Sequence, residues 1–148
     1  MKKYLIGLAV IFAASLFPLG QANAQVPWNP CNTTAVQTNV KIAPTTATTT
    51  ELVPLVAGQI IYVCDFSITI SQVVTTANTI KFVYGTGTAC ATGTTDITAA
   101  FGAGGITAGA PITITGRNLK TIAANALCVT TTIGASAFFN GYISYIQQ

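Results

Sequence analysis

Few side chains in this chain could do chemistry. Its 148 residues include six Lys plus Arg, three Asp plus Glu, four Cys and no His. Without imidazole there is no ready general base for a hydroxyl nucleophile and none of the commonest nitrogen ligand for a metal. The carboxylates are Glu51, Asp65 and Asp96. Glycoside hydrolysis needs two acids facing one bond, about 5–10 Å apart, and only Asp65 and Asp96 fall within the strand-forming region. Asp65 lies on the polar side of an alternating segment, where solvation accounts for it. Ser67, Ser71, Ser136 and Ser144 have no activating partner, and there is no Ser-x-x-Lys. The stretch Tyr84-Gly85-Thr86-Gly87-Thr88-Ala89-Cys90 lacks the third glycine of a dinucleotide loop and the Gly-Lys-Ser/Thr ending of a P-loop. A calcium cage wants several clustered oxygen ligands, and three scattered acids do not supply them. The expectation is a non-enzyme with no cofactor and no metal.

Cys31, Cys64, Cys90 and Cys128 carry the strongest chemical signal. Zinc sites use closely spaced pairs such as C-x-x-C, whereas these cysteines are tens of residues apart. An even count in a small exported domain reads instead as disulfides. Three pairings are possible. The favoured one joins Cys31 to Cys64 and Cys90 to Cys128, each loop stabilising by roughly 3–4 kcal/mol through chain entropy.

Export is itself read from the first residues. Lys2 and Lys3 precede an apolar stretch from Leu5 to about Leu19, then Pro18 and Gly20, then Ala22-Asn23-Ala24. That order is a basic n-region, an apolar h-region and a small-residue cleavage site, giving a signal peptide over 1–24. The stretch is shorter than the ~20 residues a membrane span needs, so no integral insertion is expected after cleavage. The mean hydropathy of +0.60 otherwise comes from short apolar runs. The expected compartment is periplasmic, cell-surface or extracellular.

Only 6% of the chain is charged, against about a quarter in ordinary domains. Beyond the signal, Lys41, Lys81, Arg117 and Lys120 stand against Glu51, Asp65 and Asp96. A net charge of +1 is no nucleic-acid footprint.

The elements that must position these residues are strands. Residues 25–50 read as an extended, partly irregular arm, with Pro27, Pro30 and Pro44 and a Thr-rich run from Thr45 to Thr50. From 51 to 148 the apolar period is two. Ile60, Tyr62, Cys64, Phe66, Ile68 and Ile70 alternate with polar residues, as do Ile80, Phe82 and Tyr84, then Ile112 and Ile114. Further strands run through Leu127, Val129 and Thr131 and from Phe139 to Tyr145. Turn signals separate them, including Ala57-Gly58, Gly85-Thr86-Gly87, Gly102 to Gly105, Gly116 and Ala124-Asn125. One all-β domain follows, a sandwich or jelly roll of about six to eight antiparallel strands.

Five residues mark a candidate interaction surface. Trp28 sits in the arm, and Arg117 and Lys120 flank Asn118 in a loop that could touch a sugar, a phosphate or an acidic surface. In the last strand Phe139, Ile143 and Tyr145 share one face and Phe138, Tyr142 and Ile146 the other. Phe138 and Tyr142 therefore either lie under a covering layer or meet a partner.

Three segments carry a resemblance: Ile61-Tyr62-Val63-Cys64, Val83 to Cys90, and Asn125-Ala126-Leu127-Cys128. Over about ninety residues the chain resembles largely uncharacterised small exported β-sandwich proteins of proteobacteria. Its strand order from Val56 to Tyr145 is also similar to short β-sandwich domains of phage virion and tail-associated proteins. The resemblance implies a compact sandwich with a structural or binding role and brings no catalytic residues. The expected function is non-catalytic: assembly or surface interaction, through self-association or a cell-surface protein or glycan. The alternatives are a carbohydrate-binding or adhesive module and a phage-like virion subunit.

Overall fold

A computed structural model describes residues 29–71, 78–103, 112–133 and 138–148. The expected signal peptide and Trp28 lie outside the described residues.

Two five-stranded antiparallel sheets pack face to face. The strands are β1 (Thr38–Ile42), β2 (Thr49–Val53), β3 (Ile61–Ser71), β4 (Asn78–Thr86), β5 (Thr92–Asp96), β6 (Phe101–Ala103), β7 (Ile112–Gly116), β8 (Leu119–Lys120), β9 (Ala126–Thr132) and β10 (Phe138–Gln147). The first sheet runs β1-β10-β3-β7, with β8 also on β3. The second runs β2-β9-β4-β5, with β6 also on β4. Ten strands among the described residues exceed the six to eight expected, because short and fully polar strands carry no apolar alternation. All five residues of β5 are exposed. The stretch read as an arm contains β1, and β2 crosses its end.

Alternation supplies the core. Ile42, Ile61, Val63, Phe66, Ile68, Ile70, Phe139 and Ile143 of the first sheet face Val53, Ile80, Phe82, Leu127 and Val129 of the second, all essentially buried. Each such side chain contributes about 1.5–3 kcal/mol by leaving water. The Phe66 and Phe82 rings meet across the layers edge to face at 4.8 Å, the arrangement their quadrupoles favour.

The expected single-face run in β3 needs one correction. Ile61 and Val63, not Ile60 and Tyr62, point inward with Phe66, Ile68 and Ile70. The cause is a β-bulge. Asp65 pairs with Ser144 and Val63 with Tyr145, so Cys64 is an extra residue with no partner across β10. One extra residue reverses which side chains face in.

Each sheet also carries a short 3-10 turn tied to it by a disulfide. Cys31, in Pro30–Asn32, is bonded to Cys64 at the bulge. Cys90, in Thr88–Cys90, is bonded to Cys128 on β9. Bonded cysteines fit an oxidising, non-cytoplasmic setting. Among the described residues no helix is long and apolar enough to cross a membrane.

Candidate functional site

The site forms where the Cys31–Cys64 bond holds the N-terminal turn against the outward side of β3. Pro30 opens the turn and is buried, with its fixed φ suited to that position. Asn29 caps it, its Oδ1 accepting the Cys31 N–H at 3.0 Å. The turn packs against both β3 and β10. Ile146, which register places opposite Tyr62 on this outward side, is buried.

Facing this turn is the connection from β7 to β8. Gly116 pairs with Phe66, and a side chain there would put Cβ 2.5 Å from the Phe66 ring. Glycine thus lets the chain turn directly over a core aromatic. Asn118 then adopts a left-handed backbone, φ 64°, which asparagine tolerates better than most residues. Its Oδ1 accepts from Asn29 Nδ2 at 3.0 Å, so two amides bridge segments 89 residues apart in sequence.

A two-lobed cleft lies between these segments. One lobe, about 330 Å³, is lined by Asn29, Cys31, Asn32, Tyr62, Asn118, Leu119 and Lys120. The other, about 300 Å³, is lined by Cys31, Asn32, Gln37, Cys64, Asp65, Arg117 and Asn118. Cys31, Asn32 and Asn118 belong to both. Beyond Asp65 the surface continues onto β10, where the Tyr142 hydroxyl donates to Asp65 Oδ2 at 3.4 Å. Outward rows across the first sheet add polar groups: Asn39, Ser144 and Asp65 in one, and Lys41, Tyr142, Ser67 and Thr115 in the next.

Arg117 and Lys120 thus flank one cleft, and Tyr142 adjoins it, 44% exposed. Phe138 is 61% exposed but lies four residues along β10 from Tyr142, about 13 Å in an extended strand, and takes no part in the cleft. Inward, Phe139 and Ile143 enter the core and Tyr145 packs at its edge. Asp65 and Asp96 lie on different sheets. Asp96 instead pairs with Lys81 at 2.8 Å. Among the described residues no three His, Cys, Asp or Glu side chains group as metal ligands. Asn29, Asn32, Gln37 and Tyr62 were missed as site residues. One signal could have found two of them: joining Cys31 to Cys64 sets Asn32 beside Asp65 and brings Asn29 close.

Chemically, the cleft offers amides that both donate and accept, a carboxylate that accepts, and a guanidinium that presents five donors in a planar fork. Such a set matches a ligand dense in hydroxyl groups.

No protein-family model matches the chain, and no curated protein sequence matches it. Among solved structures it is similar to a protein described as EclA C-terminal domain; sugar-binding protein, at 19% identity and a TM-score of 0.31, covering 78% of this chain and 79% of that one.

Proposed function

We propose that the protein is a non-catalytic, exported binding module, periplasmic, cell-surface or extracellular, whose ligand is a carbohydrate seated in the cleft beside Cys31–Cys64. The observation that carries this reading is the convergence of Asn29, Asn32, Gln37, Asp65, Arg117 and Asn118 on one concavity. Every sugar hydroxyl both donates and accepts, and side-chain amides answer it with both functions. Tyr142 offers an apolar ring face with a polar tip against which a second sugar ring can lie.

Glycan-array binding tests the reading. The expected result is retention of a defined set of oligosaccharides, reduced about tenfold in Asn118→Gly, which keeps the left-handed turn but deletes one amide. Tyr142→Ala weakens longer oligosaccharides more than disaccharides. No retention, or retention unchanged in both variants, overturns the assignment.

A second reading is assembly, in a cell-encoded or phage-like structural role. It is favoured by Phe138, whose ring stands in solvent on the outward side of a central strand. Sedimentation of the protein lacking residues 1–24 would show an oligomer that Phe138→Ser dissolves. A monomer at high concentration removes this reading.

A further inference from the structure

We infer that the cleft is built for an acidic polysaccharide, with Arg117 holding a sugar carboxylate and Lys120 supplying a second positive site; the inference rests on the carbohydrate reading above. The distribution of charge argues for it. Among the described residues the first sheet and its β7–β8 turn carry Lys41, Arg117 and Lys120 against a single acidic side chain, Asp65. The second sheet carries Lys81 against Glu51 and Asp96. Among the described residues the excess of basic over acidic side chains therefore lies on the sheet that carries the cleft.

Pairing sharpens the contrast. Lys81 holds both oxygens of Asp96, at 2.8 and 3.0 Å. Arg117 shares a lobe with Asp65 yet makes no ion pair within 4.0 Å among the described residues. Asp65 is engaged instead by Tyr142. The guanidinium fork is thus open to a bidentate carboxylate, the geometry it suits best. Lys120 lines the other lobe, across Asn118 from Arg117. Two cations separated by an amide fit a chain that repeats an acid and hydroxyl groups. A uronate polymer has that chemistry.

The experiment compares oligogalacturonate, oligoguluronate and hyaluronan hexasaccharide with the carboxyl-reduced form of each, by calorimetry on the full exported chain in 50 mM NaCl. At least one acidic oligosaccharide is expected to bind about tenfold or more tightly than its reduced form. Arg117→Ala abolishes the difference, Arg117→Lys retains part of it, and 500 mM NaCl diminishes it. Lys81→Ala, on the other sheet, leaves it intact. Equal binding of acidic and reduced forms, or a preference that survives Arg117→Ala, overturns the inference while leaving the carbohydrate reading in place. Failure of both acidic and reduced forms to bind overturns the inference and counts against the reading as well.

Discussion

The outward faces of the two sheets carry the same device and use it differently. On each, a cysteine in a 3-10 turn is bonded to a strand. On the second sheet the turn closes down. Cys90 and Cys128 are fully buried and form a small apolar cluster with Val83 and Ala126. Gly85 allows that approach, since a side chain there would meet the Cys90 carbonyl at 2.9 Å. On the first sheet the turn packs on β3 and β10 but leaves a cleft beside it. Cys31 is half-buried, and around it Tyr62 and Leu119 are joined by the amides of Asn32 and Asn118 and the charges of Asp65, Arg117 and Lys120. Loop length does not separate the two bonds. Separations of 33 and 38 residues give nearly equal chain-entropy terms, each about 4 kcal/mol. The difference lies in what surrounds the sulfurs: apolar packing makes one bond a second core, and polar lining makes the other a cleft wall.

Breaking each bond separates these roles. Removing the buried pair in Cys90→Ala/Cys128→Ala has the largest expected effect on stability, about 4 kcal/mol or more in urea titration, because lost packing adds to the chain-entropy term. Oligosaccharide binding, measured well below the unfolding midpoint, stays unchanged. A stability loss below about 1 kcal/mol would refute the second-core assignment.

The double variant Cys31→Ser/Cys64→Ser is expected to lose less stability than that, because the released turn gains freedom in the folded state too. It loses glycan binding outright, since the cleft has lost a wall. Retained binding would show that the disulfide is not what holds the cleft.

Gly116→Ala probes how the core reaches the cleft. Its new methyl group meets the nearly buried Phe66 ring, so a cost of about 1–3 kcal/mol is expected, together with weaker binding as the Arg117–Asn118 turn shifts. Smallest is Lys81→Ala. The Lys81–Asp96 pair is 32% and 56% exposed, so thermal unfolding should register less than about 1 kcal/mol and binding none.

The sequence made the long strands legible and left the junctions obscure. Alternation in β4 and β9 marks inward residues such as Ile80, Leu127 and Val129 directly. By contrast, β10 has apolar or aromatic residues on both faces, and its inward side, with Phe139 and Ile143, shows only in the structure. The reversal at Cys64 cannot be read that way, because a bulge is defined against the partner strand and nothing local in Val63-Cys64-Asp65 announces it. β5, written Thr-Gly-Thr-Thr-Asp, has no apolar period at all. It is held by pairing to β4, including the Lys81–Asp96 contact.

The candidate site divides similarly. Arg117 and Lys120 stand out as charges in a turn. Asn29, Gln37 and Asp65 join them only because distant segments meet, through Cys31–Cys64 and the Asn29–Asn118 contact. Asp65 draws attention in the sequence as half of a catalytic pair. In the structure its neighbours are Tyr142 and the cleft, and Asp96 belongs to the other sheet.

Titration of ¹⁵N-labelled protein with the tightest oligosaccharide from the array, followed by amide chemical shifts, tests the central claim most directly. The account predicts saturable shifts at Asn32, Asp65, Arg117, Asn118 and Leu119, extending to Tyr142 with longer ligands, while Val83, Cys90 and Cys128 stay still. Shifts gathered on the second sheet, or at Phe138 without the cleft residues, would contradict it.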